Sequence, residues 1–145
     1  MTFEKNRSAG YLANHMARLF AQRLAEAIRP LGLAPAQFMT LIELWRRDGL
    51  TQRELVGLLD IEQATLANTL ARMERDGLIV RRSVAGDARA RTIHVTARAR
   101  ALEGPATDAA RAVNGHALAG LDPARTEAFL ADMGTVIAAL KEKPE

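Results

Sequence analysis

Residues 51–77 read TQRELVGLLDIEQATLANTLARMERDG. Thr51 is followed three residues later by Glu54, the spacing of a capping box, in which each side chain satisfies a backbone N–H of the other's turn. The box opens a short helix carrying Leu55, Leu58 and Leu59 as its apolar positions. After Asp60 a second helix is predicted over about Glu62 to Asp76. Its Leu66, Leu70 and Met73 recur at helical spacing and share one face. At about 100° per residue, the opposite face carries Ala64, Asn68, Ala71 and Arg75, with Thr65 and Arg72 beside it. Gly77 follows at the place where a helix closes through a left-handed residue.

Downstream, the periodicity changes from that of a helix to that of a strand. Leu78-Ile79-Val80 and Thr92-Ile93-His94-Val95-Thr96 are rich in β-branched residues and alternate apolar with polar. The intervening SVAGDARA predicts a hairpin loop over residues 83–90. Arg81, Arg82, Arg89 and Arg91 gather on this short segment, with Asp87 its one acid. Residues 77–100 hold six Arg against one Asp, whereas residues 101–145 hold four cations against seven acids. A cationic finger on an otherwise acidic remainder fits a polyanion met by one face.

Upstream, a first helix is predicted from about Ser8, its N-cap, to Ile28, with Leu12, Met16, Leu19, Phe20 and Leu24 as its stripe. Arg29-Pro30 ends it, because the residue before proline resists the α conformation. A second helix starts with Pro35 at N1, carries Phe38, Leu41, Ile42 and Trp45, and stops at Asp48-Gly49. After the hairpin, one long helical segment is predicted over about Ala97 to Leu118, with Gly104-Pro105 and Asn114-Gly115 inside it. Asp122-Pro123 starts a last helix with Phe129, Leu130, Met133, Ile137 and Leu140.

The 145 residues are 48% apolar but only 4% aromatic, which favours closely packed helices around one core. There is no cysteine, so disulfides and thiolate chemistry are excluded. No apolar run approaches the roughly 18 residues of a membrane span. The start, MTFEKNRSAGYLANH, lacks a signal peptide's apolar stretch. The reading is a cytoplasmic protein with no membrane partner.

A short capped helix turning into a second helix is a helix-turn-helix, and the basic hairpin makes it a winged one. An α-helix fits the major groove of duplex DNA, so the outer face of the second helix is placed to meet base edges. The hairpin beside it reaches an adjacent minor groove, where arginine is favoured. Strand parity puts Asp87, Arg89 and Arg91 on one side. Asp87 repels phosphate, so its expected task is to hold an arginine in one pose before binding.

LAPAQFMTLIELWRRDGLTQRELVGLLDIEQATLANTLARMERDGLIVRR, followed by GDARARTIHVTARARAL, resembles the MarR family of bacterial transcription regulators. The resemblance extends over nearly the whole chain. It implies a mainly α fold with a small β-hairpin: a winged helix-turn-helix core over residues 35–96, with dimerisation helices at 1–30 and 97–145. It also implies a homodimer on a palindromic operator of double-stranded DNA, a repressor relieved by a small ligand. Carried over by residue, Gln63, Ala64, Thr65 and Asn68 would face bases and Arg72 the backbone. Arg89 matches the family's wing arginine and Asp87 its aspartate. Thr51 and Gln52, at a helix N-terminus, would donate to phosphate. The chain departs from the pattern at Asn68, where the family often has arginine, at Ala64 and Ala67, where it often has serine, and at Ala88, since its wing often reads D-R-R. Asparagine can make a bidentate contact to adenine, so Asn68 is the expected specificity residue.

Enzymatic readings find little support. His15, His94 and His116 lie far apart and lack partners at metal-ligand spacing, and no phosphate loop or nucleophile elbow appears. No cofactor is implied. The resemblance implies a small-molecule effector between the terminal helices and the winged domain. Tyr11, His15 and Arg18 share one side of the first helix, where Phe38 and Trp45 could meet them to hold an aromatic acid. The alternative to specific DNA binding is a winged-helix protein-interaction module, against which the basic wing argues.

Overall fold

In a computed structural model the described residues form six α-helices, two short 3-10 helices (Lys5–Arg7 and Arg29–Leu31) and one hairpin: α1 (Ala9–Ile28), α2 (Pro35–Arg46), α3 (Gln52–Leu59), α4 (Gln63–Arg75), β1 (Ile79–Val84), β2 (Asp87–Val95), α5 (Ala97–Ala117) and α6 (Pro123–Lys141). The structure describes residues 1–144, the side chains of residues 88–90 excepted. The chain divides into two compact units, residues 1–110 and 111–145, so the division falls inside α5.

The ends of the helices follow from local chemistry. The Ser8 hydroxyl accepts the Tyr11 N–H at the start of α1, and Asp122 accepts the Arg125 N–H at the start of α6. Pro35 and Pro123 occupy first-turn positions, where a missing N–H costs nothing. Gly77 takes φ +73° after α4, as expected of a helix-closing glycine. α5 fills the helical segment predicted over about Ala97 to Leu118. It runs unbroken through Gly104 and Pro105, so the two residues do not divide it.

The core of the first unit is built by the predicted faces. Leu55, Leu66, Leu70 and Met73 are fully buried, as are Leu41 and Leu44 of α2 and Ile79 and Ile93 of the hairpin. Ile28, Ala99 and Ala106 join the same cluster, so the end of α1 and the first half of α5 belong to this core. Leu58 does not: it is 52% exposed, and the short α3 buries only Leu55 completely. Leu12 and Leu19 of α1 are also exposed. In the second unit α6 buries no residue, and Leu130, Ile137 and Leu140 of its predicted stripe are exposed.

The hairpin is longer and its turn tighter than the predicted loop over 83–90. β1 and β2 pair antiparallel from Ile79↔Val95 to Ser83↔Arg91, then shift to Val84↔Asp87, leaving a turn at Ala85-Gly86. Gly86 has φ +84°, a conformation that lets two residues reverse the chain. The register shift interrupts the pleat between Asp87 and Arg91, so parity does not place those two on one side.

Leu50 adds a bridge that periodicity did not reveal. Its carbonyl accepts the Ile93 N–H (2.8 Å), and the Gly49 N–H donates to the Ile93 carbonyl (2.9 Å). Gly49 needs φ +80° to enter this bridge, and a methyl group there would stand 3.1 Å from the His94 ring. Asp48 secures the same corner. One oxygen accepts the Val95 N–H (2.9 Å), and the other lies 3.2 Å from His94 Nδ1 and 3.5 Å from Arg100. His94 Nε2 is 2.7 Å from the Thr92 hydroxyl. His94 is thus a strut between the end of α2 and the base of the wing.

Candidate nucleic-acid interface

α4 is held by its apolar face, and its other face is open. Leu66, Leu70 and Met73 are fully buried, whereas Gln63, Ala64, Thr65, Asn68, Ala71, Arg72 and Arg75 are exposed. The residues expected to face bases therefore share one accessible surface. Arg82 and Arg91 of the hairpin are exposed as well. The side chain of Arg89, matched to the family's wing arginine, lies outside the described residues. The pairing of Asp87 with that arginine lies outside them for the same reason.

α3 opens on the capping box that the sequence announces. Thr51 Oγ1 accepts the Glu54 N–H, and the Glu54 carboxylate accepts both the Thr51 N–H and the Thr51 hydroxyl, all at 3.1 Å. In the free protein both Thr51 donors are directed at Glu54. The Thr51 backbone N–H, its hydroxyl and, less strongly, Arg47 hold the Glu54 carboxyl below its ordinary range despite partial desolvation. A carboxyl so depressed stabilises the fold above its unfolded pKa, and that contribution is lost as the pH falls through the folded value. Thr51→Ala should destabilise the protein by about 1 kcal/mol and flatten the loss of stability below about pH 4.5. Thermal melts of both proteins from pH 3 to 7 check both effects; parallel acid limbs would remove the role assigned to this pair.

One wing arginine has a structural task that its place in the basic run concealed. Arg81 is only 23% exposed, and its Nε donates to Glu74 of α4 at 3.2 Å. Its Nη1 lies 3.5 Å from Gln52 Oε1 of α3, a long contact. Arg81 therefore fastens β1 to both helices of the helix-turn-helix, and Gln52 is drawn into that join. Among the described side chains, Arg82 and Arg91 are exposed cations of the wing. The turn between α3 and α4 passes through Asp60 at φ +52°, a left-handed position where aspartate is tolerated better than most residues.

The residues expected to hold an aromatic acid form two separate pairs. Tyr11 and His15 are edge-to-face at 6.3 Å between centroids on the exposed surface of α1, with the Lys5 ammonium 5.7 Å from the Tyr11 ring. Phe38 and Trp45 are edge-to-face at 6.0 Å within α2, and Trp45 Nε1 donates to the Ala99 carbonyl at 3.1 Å. Arg18 is exposed. Among the described residues no ring contact joins the two pairs.

An exposed helix face beside a fastened basic hairpin defines a winged helix-turn-helix of the DNA-binding class. Comparison with known proteins narrows this. The model of the MarR family matches residues 31–90. The crystal structure of the transcriptional regulator PA3341 is 31% identical and superposes with a TM-score of 0.79, covering 94% of this chain and all of that one. A repressor of Mycobacterium tuberculosis, Rv2887, is 28% identical over 120 residues, 83% of this chain and 86% of its own. A MarR-family regulator of Listeria monocytogenes, solved with a 26mer DNA, shares the fold at a TM-score of 0.85 and 20% identity, covering 92% of this chain and 89% of that one. The chain belongs to the MarR family of transcriptional regulators.

Among the described residues no helix is long and apolar enough to cross a membrane.

Proposed function

We propose that this regulator is a homodimeric repressor that binds a palindromic operator in double-stranded DNA and is released by a small ligand. The observation that carries the DNA reading is the accessible surface of α4, with the hairpin fastened at its side by Arg81. Gln63, Ala64, Thr65 and Asn68 meet base edges, while Arg72, Arg91 and the wing's Arg89 meet the backbone or the minor groove. Thr51 and Gln52 meet phosphate at the start of α3. The Listeria regulator bound to DNA supports the ligand class, and the mycobacterial repressor supports the sign of regulation. The terminal helices serve the dimer: α1 exposes Leu12 and Leu19, and α6 exposes Leu130, Val136, Ile137 and Leu140, which a second copy of the chain would cover.

The test is a mobility shift across a salt series. Wild-type binding should fall by about 0.9 log units per phosphate contact for each tenfold rise in salt. Arg89→Ala should weaken binding to all sequences and reduce that slope by about 1. Unchanged binding would remove the wing from the interface, and salt-independent binding would favour a protein partner instead.

Release by an aromatic acid rests on Tyr11, His15 and Arg18 of α1 and on Phe38 and Trp45 of α2. Trp45 is the one tryptophan, it touches Phe38, and it is tied to α5, so its emission reports on that region. Titration with a panel of aromatic acids should shift Trp45 fluorescence. A flat response to every acid would withdraw the effector reading while leaving DNA binding untouched.

A further inference from the structure

α4 carries its exposed face past the residues assigned to bases and into a cleft. The cleft, about 610 Å³, is formed by the end of α1 and the turn after it, the start of α2, and the end of α4. Arg29, Arg72 and Arg75 line it, with Asp76 and Gln37 at its wall. Arg98 stands close by: a methyl group on Gly32, itself a lining residue, would sit 3.6 Å from an Arg98 guanidinium nitrogen. Three arginines and one carboxylate thus line the cleft, with the Arg98 guanidinium beside it at Gly32.

The carboxylate is already occupied. Gln37 is buried (6% exposed); its Nε2 donates to Asp76 Oδ2 at 3.0 Å, while its Oε1 accepts the Ala34 N–H at 3.1 Å. Arg75 Nε contacts the other oxygen of Asp76 at 3.3 Å. The Gln37 hydrogen bond is the largest influence holding the Asp76 carboxyl below its ordinary range, and Arg75 and Arg98 add to it. Asp76 therefore stays anionic but offsets only part of the positive charge. Among the described residues Arg29, Arg72 and Arg98 make no ion pair. Gln37 thus ties Asp76 to the N–H of Ala34, the residue before α2, and the arginines give this cleft its positive charge.

The direction of α4 identifies the occupant. Arg75 is eleven residues beyond Ala64, about 20° round the helix and about 16 Å further along it. It therefore continues the exposed meridian of Ala64, Asn68 and Ala71. A major groove is about 12 Å wide. With its first turns on base edges, α4 carries Arg75 beyond the groove to the sugar-phosphate wall. We propose that this cleft grips a phosphate of the operator backbone, with Arg29, Arg75 and Arg98 adding contacts to that of Arg72. Arg29, just past the end of α1, would then hold DNA as well. The inference rests on the DNA reading above and goes beyond it by assigning a second contact region away from the wing.

A cleft of this size also falls within the range of small-ligand pockets, about 300–1,000 Å³, so the test must separate backbone phosphate from a free anion. Full-length wild type, Arg29→Ala and Arg29→Ala/Arg75→Ala are compared by fluorescence anisotropy on a selected operator and on a scrambled duplex, across a salt series. Each lost contact should reduce the slope of log affinity against log salt by about 0.9, or about eightfold in affinity at 0.1 M salt, equally on both duplexes. Arg29 has no ion pair to lose, so Arg29→Ala keeps the result independent of folding, which a thermal melt verifies. Wild-type affinity and slope in both variants would overturn the cleft assignment and leave the DNA reading standing. Absence of duplex binding by the wild type would overturn both. If inorganic phosphate at matched ionic strength abolishes the difference between wild type and variants, the cleft is a free-anion site and the proposal fails.

Discussion

Asn68→Asp should lower operator affinity by at least a hundredfold while shifting the melting temperature by no more than about 3 °C. The two side chains have nearly the same shape and similar helix propensities, and Asn68 is exposed, so the fold has little to lose. The DNA complex loses twice. A bidentate asparagine–adenine contact is worth about 1–3 kcal/mol of discrimination, and a carboxylate facing an array of phosphates adds repulsion of several kcal/mol. A loss of about 3 kcal/mol corresponds to roughly a hundredfold in affinity. Anisotropy titration paired with a circular-dichroism melt measures both quantities. Full affinity in this variant would show that the outward face of α4 does not lie against DNA.

Leu70→Ala, two residues further along the same helix, should do the reverse. Leu70 is fully buried among the core residues. Its truncation removes transfer energy and leaves a cavity, about 3 kcal/mol in all, which lowers the melting temperature by roughly 10 °C for a domain of this size. Domains of this kind have about 5–15 kcal/mol in hand, so most molecules stay folded at 25 °C and bind DNA with nearly wild-type affinity. The two substitutions together test the orientation of α4. A thermal melt in which Leu70→Ala behaves as wild type would mean that the helix is rotated from the position described.

The contrast between these neighbours shows which parts of the molecule were legible in its sequence. The faces of α4 follow from a period near 3.6, and its bounds at Gln63–Arg75 lie one residue inside the predicted ends. Thr51 with Glu54, Ser8, Pro35 and Asp122-Pro123 marked helix starts because caps are local chemistry, complete within four residues. The interactions that assemble the site are not local. The Gln37–Asp76 hydrogen bond spans 39 positions and the Asp48–His94 contact spans 46. Nothing in the text near Arg81 distinguishes it from Arg82, yet one is a fastener with Glu74 and the other faces outward. The cleft of Arg29, Arg72 and Arg75 is hidden for the same reason, since its cations come from the turn after α1 and from α4 and meet only once the core has formed. The hairpin was recognised but its turn was not, because Gly86 was read as one member of a polar loop when its left-handed conformation makes a two-residue reversal possible.

On the proposed function, the outer surface of α4 and the wing read duplex DNA as a symmetric pair. Selection of bound duplexes from a random pool by the full-length protein tests this directly. The account predicts enrichment of an inverted repeat whose half-sites are centred about one helical turn apart, 10–10.5 base pairs. A pool that remains unenriched after repeated rounds, or that yields a single asymmetric site, would contradict it.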